Sequence, residues 1–89
     1  MKTLISKNMH LATFVDIVSI QKNPETKKEY ALVLLNLYGN ICSVKVPQNI
    51  IPFIETLKSG DNLLVLIKKT PTGEYFLYGI EKLNNEIYN

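Results

Sequence analysis

All of the fixed positive charge in this 89-residue chain is lysine, ten residues with no arginine beside them. Six of the ten gather at three places: Lys22, Lys27 and Lys28 in one polar stretch, Lys45 inside an apolar run, and Lys68 with Lys69 at the end of another. Aromatic rings stand close by in sequence, Tyr30 just after Lys28, Tyr38 at the far end of the same run, and Phe76 shortly after Lys69. An ammonium meets a phosphate as a point charge, and a flat ring offers a face on which any base can stack, at about 1–3 kcal/mol per base. The combination suits sequence-tolerant contact with a single-stranded nucleic acid. With about five lysines on phosphates, log affinity would fall with log salt at a slope near −3.5. The competing reading is that turn lysines are solvated and that Tyr30 or Tyr38 packs in a protein interface.

Catalytic chemistry finds few residues to work with. His10 is the one histidine, Cys42 the one cysteine, and no His/Cys grouping has metal spacing. There is no glycine-rich phosphate loop and no nucleophile motif. Asp16, Glu74 and Glu81 are the carboxylates that a metal-dependent nuclease would need, but no arginine accompanies them to stabilise developing phosphate charge. The expectation is a non-enzymatic protein with no metal site and no cofactor. Cys42 reads as a small apolar strand residue in a reducing compartment. The opening MKTLISKNMHLATFV is broken by Ser6-Lys7-Asn8 and followed by Asp16, so it reads neither as a signal peptide nor as a spanning helix, and a cytoplasmic location in the host cell with no membrane partner is expected.

The elements that must position these residues are mostly strands. From Tyr30 to Tyr38 the alternation sends Ala31, Val33, Leu35 and Leu37 to one face and Tyr30, Leu32, Leu34, Asn36 and Tyr38 to the other. Gly39-Asn40 supplies a turn, and Ile41 to Val46 returns with Cys42, Val44 and Val46 on the apolar side and Lys45 on the mixed one. Before this hairpin, His10 to Gln21 is apolar on both faces yet interrupted by Asp16 and Ser19, as suits a curled first strand that pairs at both ends of a small barrel. Asn23-Pro24 opens the basic turn between them. Residues 49–58 carry a helical stripe of Ile50, Ile51, Phe53, Ile54 and Leu57 with Asn49 as the cap and Gly60 as the stop. Strands over 62–69 and 74–83 complete the chain, between an N-terminal arm at 1–9 and a C-terminal tail at 84–89. The order of three strands, a helix and two strands is that of the OB-fold, a five-stranded all-β Greek-key barrel, here over residues 10–83.

The stretch SIQKNPETKKEYALVLLNLYGNICSVKVP resembles the corresponding part of filamentous-phage single-stranded DNA-binding proteins, with a basic turn, an aromatic-bearing strand, a short turn and a second strand in the same order. The likeness runs from about Thr13 to Leu83. It departs from that family in its helix at 49–58, where those proteins carry a longer irregular hairpin, and in lacking arginine, which widens it to OB-fold binders of phage, plasmid or mobile-element origin. The resemblance implies a homodimer that coats single-stranded DNA during replication, with Lys22, Lys27, Lys28, Tyr30, Lys45 and Phe76 as the matching site residues. Tyr38, Lys68 and Lys69 join them on the residue chemistry alone. Because stacking ignores the 2′-hydroxyl, RNA is an open alternative ligand.

Bulk properties leave one rival reading. At this size folding buries about 64% of the chain's surface, while 46% of the residues are hydrophobic. Apolar surface should therefore remain outside, which favours a homodimer or a binding face. With a net charge of only +2 and Leu32, Leu34 and Ile41 on the outer hairpin face, the same barrel also reads as a protein-interaction or assembly subunit.

Overall fold

In the computed structural model, which describes residues 9–83, the hairpin is β2 (Glu29–Leu37) and β3 (Asn40–Pro47). Their register sets Ala31 against Val46 and Val33 against Val44, and all four are shut away from solvent. Locking these inward sets together decides which two residues are left for the turn. They are Tyr38 and Gly39, with φ of 54° and 88°, within the expected fold-back at Tyr38-Gly39-Asn40, but with the positive φ on Tyr38 where Asn40 was expected to carry it, because Leu37 pairs with Asn40. Two successive positive φ values give the hairpin turn whose twist suits the strands, and Asn36 Oδ1 braces it by accepting the Gly39 N–H at 2.9 Å.

β1 (Met9–Lys22) pairs with β4 (Asn62–Lys69) through its first part and with β2 through the rest. It bends at two register shifts, between Phe14 and Asp16 and between Ile17 and Ser19. Each shift adds a residue and flips which parity faces inward. Ala12 and Phe14 are buried, but Asp16 is turned out and Ile17 reaches the core instead. Strict alternation, which grouped Ala12, Phe14, Asp16 and Val18, therefore fails beyond Phe14, and a strand apolar on both sides uses both sides.

The helical segment is tighter than its apolar stripe suggests. A 3₁₀ turn at Gln48–Ile50 leads into α1 (Ile51–Ile54), and Asn49 makes no capping hydrogen bond, since the chain enters from extended Pro47. Thr56 Oγ1 donates to the Phe53 carbonyl at 2.7 Å and helps to end the helix. Ile51, Ile54 and Leu57 are buried, with Ile50 and Phe53 packed against them. Beyond Gly60 (φ 99°), the Asp61 carboxylate accepts the Lys58 N–H at 2.8 Å and faces Lys82 Nζ at 3.6 Å. The first of these contacts, aided by the second, holds the Asp61 carboxyl below its ordinary range.

β4 buries Leu63, Val65 and Ile67, and β5 (Tyr75–Lys82) buries Leu77. A shift in their pairing sets Leu66 against Gly79 and Ile67 against Leu77 and brings Ile80 back toward the core. Gly79 is needed there: a Cβ on it would lie 2.7 Å from Leu66 Cδ1. The strand order is β1-β2-β3-β5-β4, closed on β1, with β3 and β5 meeting as a short parallel seam of two residue pairs, Val44 with Tyr75 and Lys45 with Phe76. This closed barrel with its helix between the third and fourth strands has the OB-fold arrangement. No helix among the described residues is long and apolar enough to cross a membrane. The arm at 1–8 and the tail at 84–89 lie outside the described residues, while Met9, expected in the arm, opens β1 opposite Leu66.

Candidate nucleic-acid interface

Four of the nine expected site residues, Lys28, Tyr30, Lys45 and Phe76, line one open cleft of about 210 Å³ on the outside of the barrel. Each is placed by a different element. Lys28 ends the β1–β2 loop, which Asn23 builds: its Oδ1 accepts the Glu25 and Thr26 N–H groups at 2.8 and 3.2 Å, while its backbone N–H and carbonyl hold Lys28 and Lys27. Tyr30 takes the outward parity of β2, and its hydroxyl donates to Gln21 Oε1 at 2.8 Å across the β1–β2 pair. Gln48, which also lines the cleft, accepts the Glu29 N–H at 2.6 Å and ties the 3₁₀ turn to the start of β2.

Lys45 is the hinge of the arrangement. Its Nζ lies 4.7 Å from the Tyr30 ring centroid and 3.8 Å from Glu74 Oε1 on the β4–β5 loop. The ring attracts the ammonium without neutralising it, and an exposed carboxylate pair of this kind is worth at most about 1 kcal/mol, so an arriving phosphate competes on favourable terms. Across the seam Lys45 pairs with Phe76, which pairs in turn with Lys68 on β4. Phe76 thus lies between two cations. The chemistry available is two rings, Tyr30 and Phe76, that can meet bases, with lysines beside them for phosphates.

The remaining candidates lie elsewhere. Lys22 closes the β1–β2 ladder opposite Glu29, and Lys27 sits in the loop at φ 65°, both solvent-exposed. Lys69 lies with its Nζ 5.8 Å from the Tyr75 ring, at the end of the barrel. There Tyr75 shares a cleft with His10, Leu37, Tyr38 and the half-buried Cys42. Tyr38, 72% exposed at the hairpin tip, stands eight residues from Tyr30, about 26 Å along an extended strand. It is hydrogen-bonded to His10 Nδ1 at 3.1 Å, with the two rings edge to face, so His10 has a structural partner that its isolation in sequence concealed. Tyr38 lines a wider cleft of about 490 Å³ with Leu11, Asn36 and Leu83, and none of the described residues that border it is charged. Size favours it; phosphate chemistry favours the smaller one.

Of the acids singled out as a carboxylate set, Asp16 bonds its neighbour's N–H and faces Leu34, Glu74 holds Lys45, and Glu81 lies opposite Leu64. Among the described residues no three His, Cys, Asp or Glu side chains are grouped to hold a metal. Two residues that shape the cleft were not among the expected site residues. Asn23 carried a signal as the residue before Pro24, whereas Gln48 acts through a contact 19 positions away that local pattern does not announce. Tyr78, 41% exposed, lies outward on β5. No family model matches the chain, and neither a curated protein nor a solved structure matches it.

Proposed function

We propose that the protein binds single-stranded DNA, without catalysis and without strong sequence preference, on the outer face formed by β2, β3 and β5. The observation that carries this reading is the convergence of Lys28, Tyr30, Lys45 and Phe76, from four separate parts of the chain, on one open cleft. Lysines supply the phosphate contacts and the rings supply stacking, which tolerates any base. A role in coating single strands during phage or plasmid replication follows from the resemblance of the hairpin region to phage DNA-binding proteins, as does action as a homodimer.

A second reading, a protein-interaction or assembly module, draws on the other end of the barrel. There Leu11, Tyr38 and Ile41 are each more than half exposed, and Leu11 and Tyr38 border the wider cleft. Fluorescence anisotropy separates the two. A labelled oligo-dT, an oligo-U and a duplex of equal length are titrated with protein at low and moderate salt. Binding to oligo-dT that weakens with salt and exceeds duplex binding supports the first reading, and oligo-U then ranks DNA against RNA. Salt-insensitive self-association with no affinity for any of the three supports the second.

A further inference from the structure

The chemistry of the cleft continues past its rim. Lys45, Phe76 and Lys68 share one cross-strand row that passes over the parallel seam, so the two lysines are about two strand spacings, or about 10 Å, apart with the ring between them. Two residues beyond Phe76, Tyr78 is outward and 41% exposed, with Lys68 Nζ 5.8 Å from its ring centroid. The pairing shift that sets Leu66 against Gly79 and Ile67 against Leu77 keeps Tyr78 on the outward side of β5. The unit of ring plus ammonium made by Tyr30 and Lys45 is therefore repeated, on the far side of Phe76, by Tyr78 and Lys68.

We infer that Tyr78 and Lys68 form a second stacking subsite, so that a bound single strand crosses the β3–β5 seam by way of Phe76 and places a further base on Tyr78 with its phosphate at Lys68. This rests on the reading that the Tyr30 cleft binds single-stranded DNA. The ligand is the same strand, extended, and the subsite acts only on chains long enough to reach it. Glu74 lies on the loop beside the crossing and pairs with Lys45, not with Lys68, which leaves the second ammonium to face the strand.

The test is a length series. Oligo-dT from about 3 to about 12 nucleotides, within the usual site size of such a barrel, is titrated against wild type, Tyr78→Ala, Tyr78→Phe and Lys68→Met, with circular dichroism confirming each fold. Wild-type affinity should climb with length to a plateau. Tyr78→Ala should match wild type on the shortest oligomers and fall about 5- to 150-fold short on the longest, the loss of one stacked base, while Tyr78→Phe follows wild type. Lys68→Met should lower the salt slope by about 0.7 on long oligomers only, which keeps the inference testable if Tyr78→Ala does not fold. A Tyr78→Ala or Lys68→Met curve that tracks wild type at every length overturns the subsite and leaves the Tyr30 cleft standing. Wild-type protein that binds no oligomer of any length overturns both.

Discussion

Replacing Tyr30 by alanine separates the ring's role from the charge's. The Tyr30 ring is the face nearest Lys45, 4.7 Å from its Nζ, and it borders the cleft that Lys28 and Phe76 share. Removing it takes away one stacking platform, about 1–3 kcal/mol, or about 5- to 150-fold in affinity. It also releases Lys45 from a contact worth about 0.5–1 kcal/mol. The phosphates met by lysine stay the same in number, so the salt slope should not change. Lys45→Met should do the reverse, reducing the slope by about 0.7 while leaving the ring in place. Tyr30→Phe is the control: it loses only the hydroxyl's 2.8 Å hydrogen bond to Gln21, a net contribution of about 0.5–1.5 kcal/mol to stability, and should bind as wild type does. The assay is anisotropy of labelled oligo-dT at fixed and varied salt, after circular dichroism has shown each variant folded. Unchanged affinity in folded Tyr30→Ala would remove the ring from the site. So would Tyr30→Phe binding as weakly as Tyr30→Ala, since the hydroxyl and not the ring would then matter.

Other perturbations test the framework that holds the cleft. Leu35→Ala removes a fully buried side chain opposite Phe14 and Cys42, and should cost about 2–5 kcal/mol in urea denaturation; a cost below about 1 kcal/mol would contradict a closed core at this position. Gly79→Ala forces a Cβ to 2.7 Å from Leu66 Cδ1, and because Leu66 is half-buried and can turn aside, the loss should fall near the lower end of the overpacking range, about 1 kcal/mol, while a stabilised variant would argue against the β4–β5 register. Asp61 is held below 3.8 first by the Lys58 N–H and then by Lys82, so its stabilising effect is present above the unfolded value and disappears as pH falls through the folded one. Asp61→Asn should accordingly show a shallower loss of stability below about pH 4 than wild type, and parallel stability curves there would contradict the assignment.

The hairpin could be read directly because its two alternations agree: only one register buries Ala31, Val33, Val44 and Val46 together, and that register places Tyr30 and Lys45 outward. The strand order followed from the element sequence and from a first strand too long for one neighbour. What alternation could not give were the points where the count slips. The shifts in β1 turned Asp16 out and Ile17 in, and the one in β5 turned Ile80 in while leaving Tyr78 outward. Such shifts come from closing a sheet on itself, a property of the whole barrel that no local window contains. The same limit applied to the site. Lys28, Tyr30 and Lys45 were within reach of the hairpin's own pattern, but Phe76 arrives across a parallel seam of two residue pairs, and Tyr38, similar to Tyr30 in sequence terms, ends at the opposite tip with His10. Within the fold-back at Tyr38-Gly39-Asn40 the positive φ falls on Tyr38 and not on Asn40; a tyrosine at positive φ is disfavoured locally and is accepted only where the register demands it.

Whether a single strand lies on the face made by β2, β3 and β5 is read out residue by residue in an amide chemical-shift titration of isotope-labelled protein with oligo-dT. Salt-sensitive shifts should gather at Lys28, Tyr30, Lys45, Phe76 and Lys68, with Leu11, Asn36 and Tyr38 unmoved. Shifts confined to Leu11, Asn36 and Tyr38, or a spectrum that oligo-dT leaves unchanged at low salt, would place the strand elsewhere or exclude it.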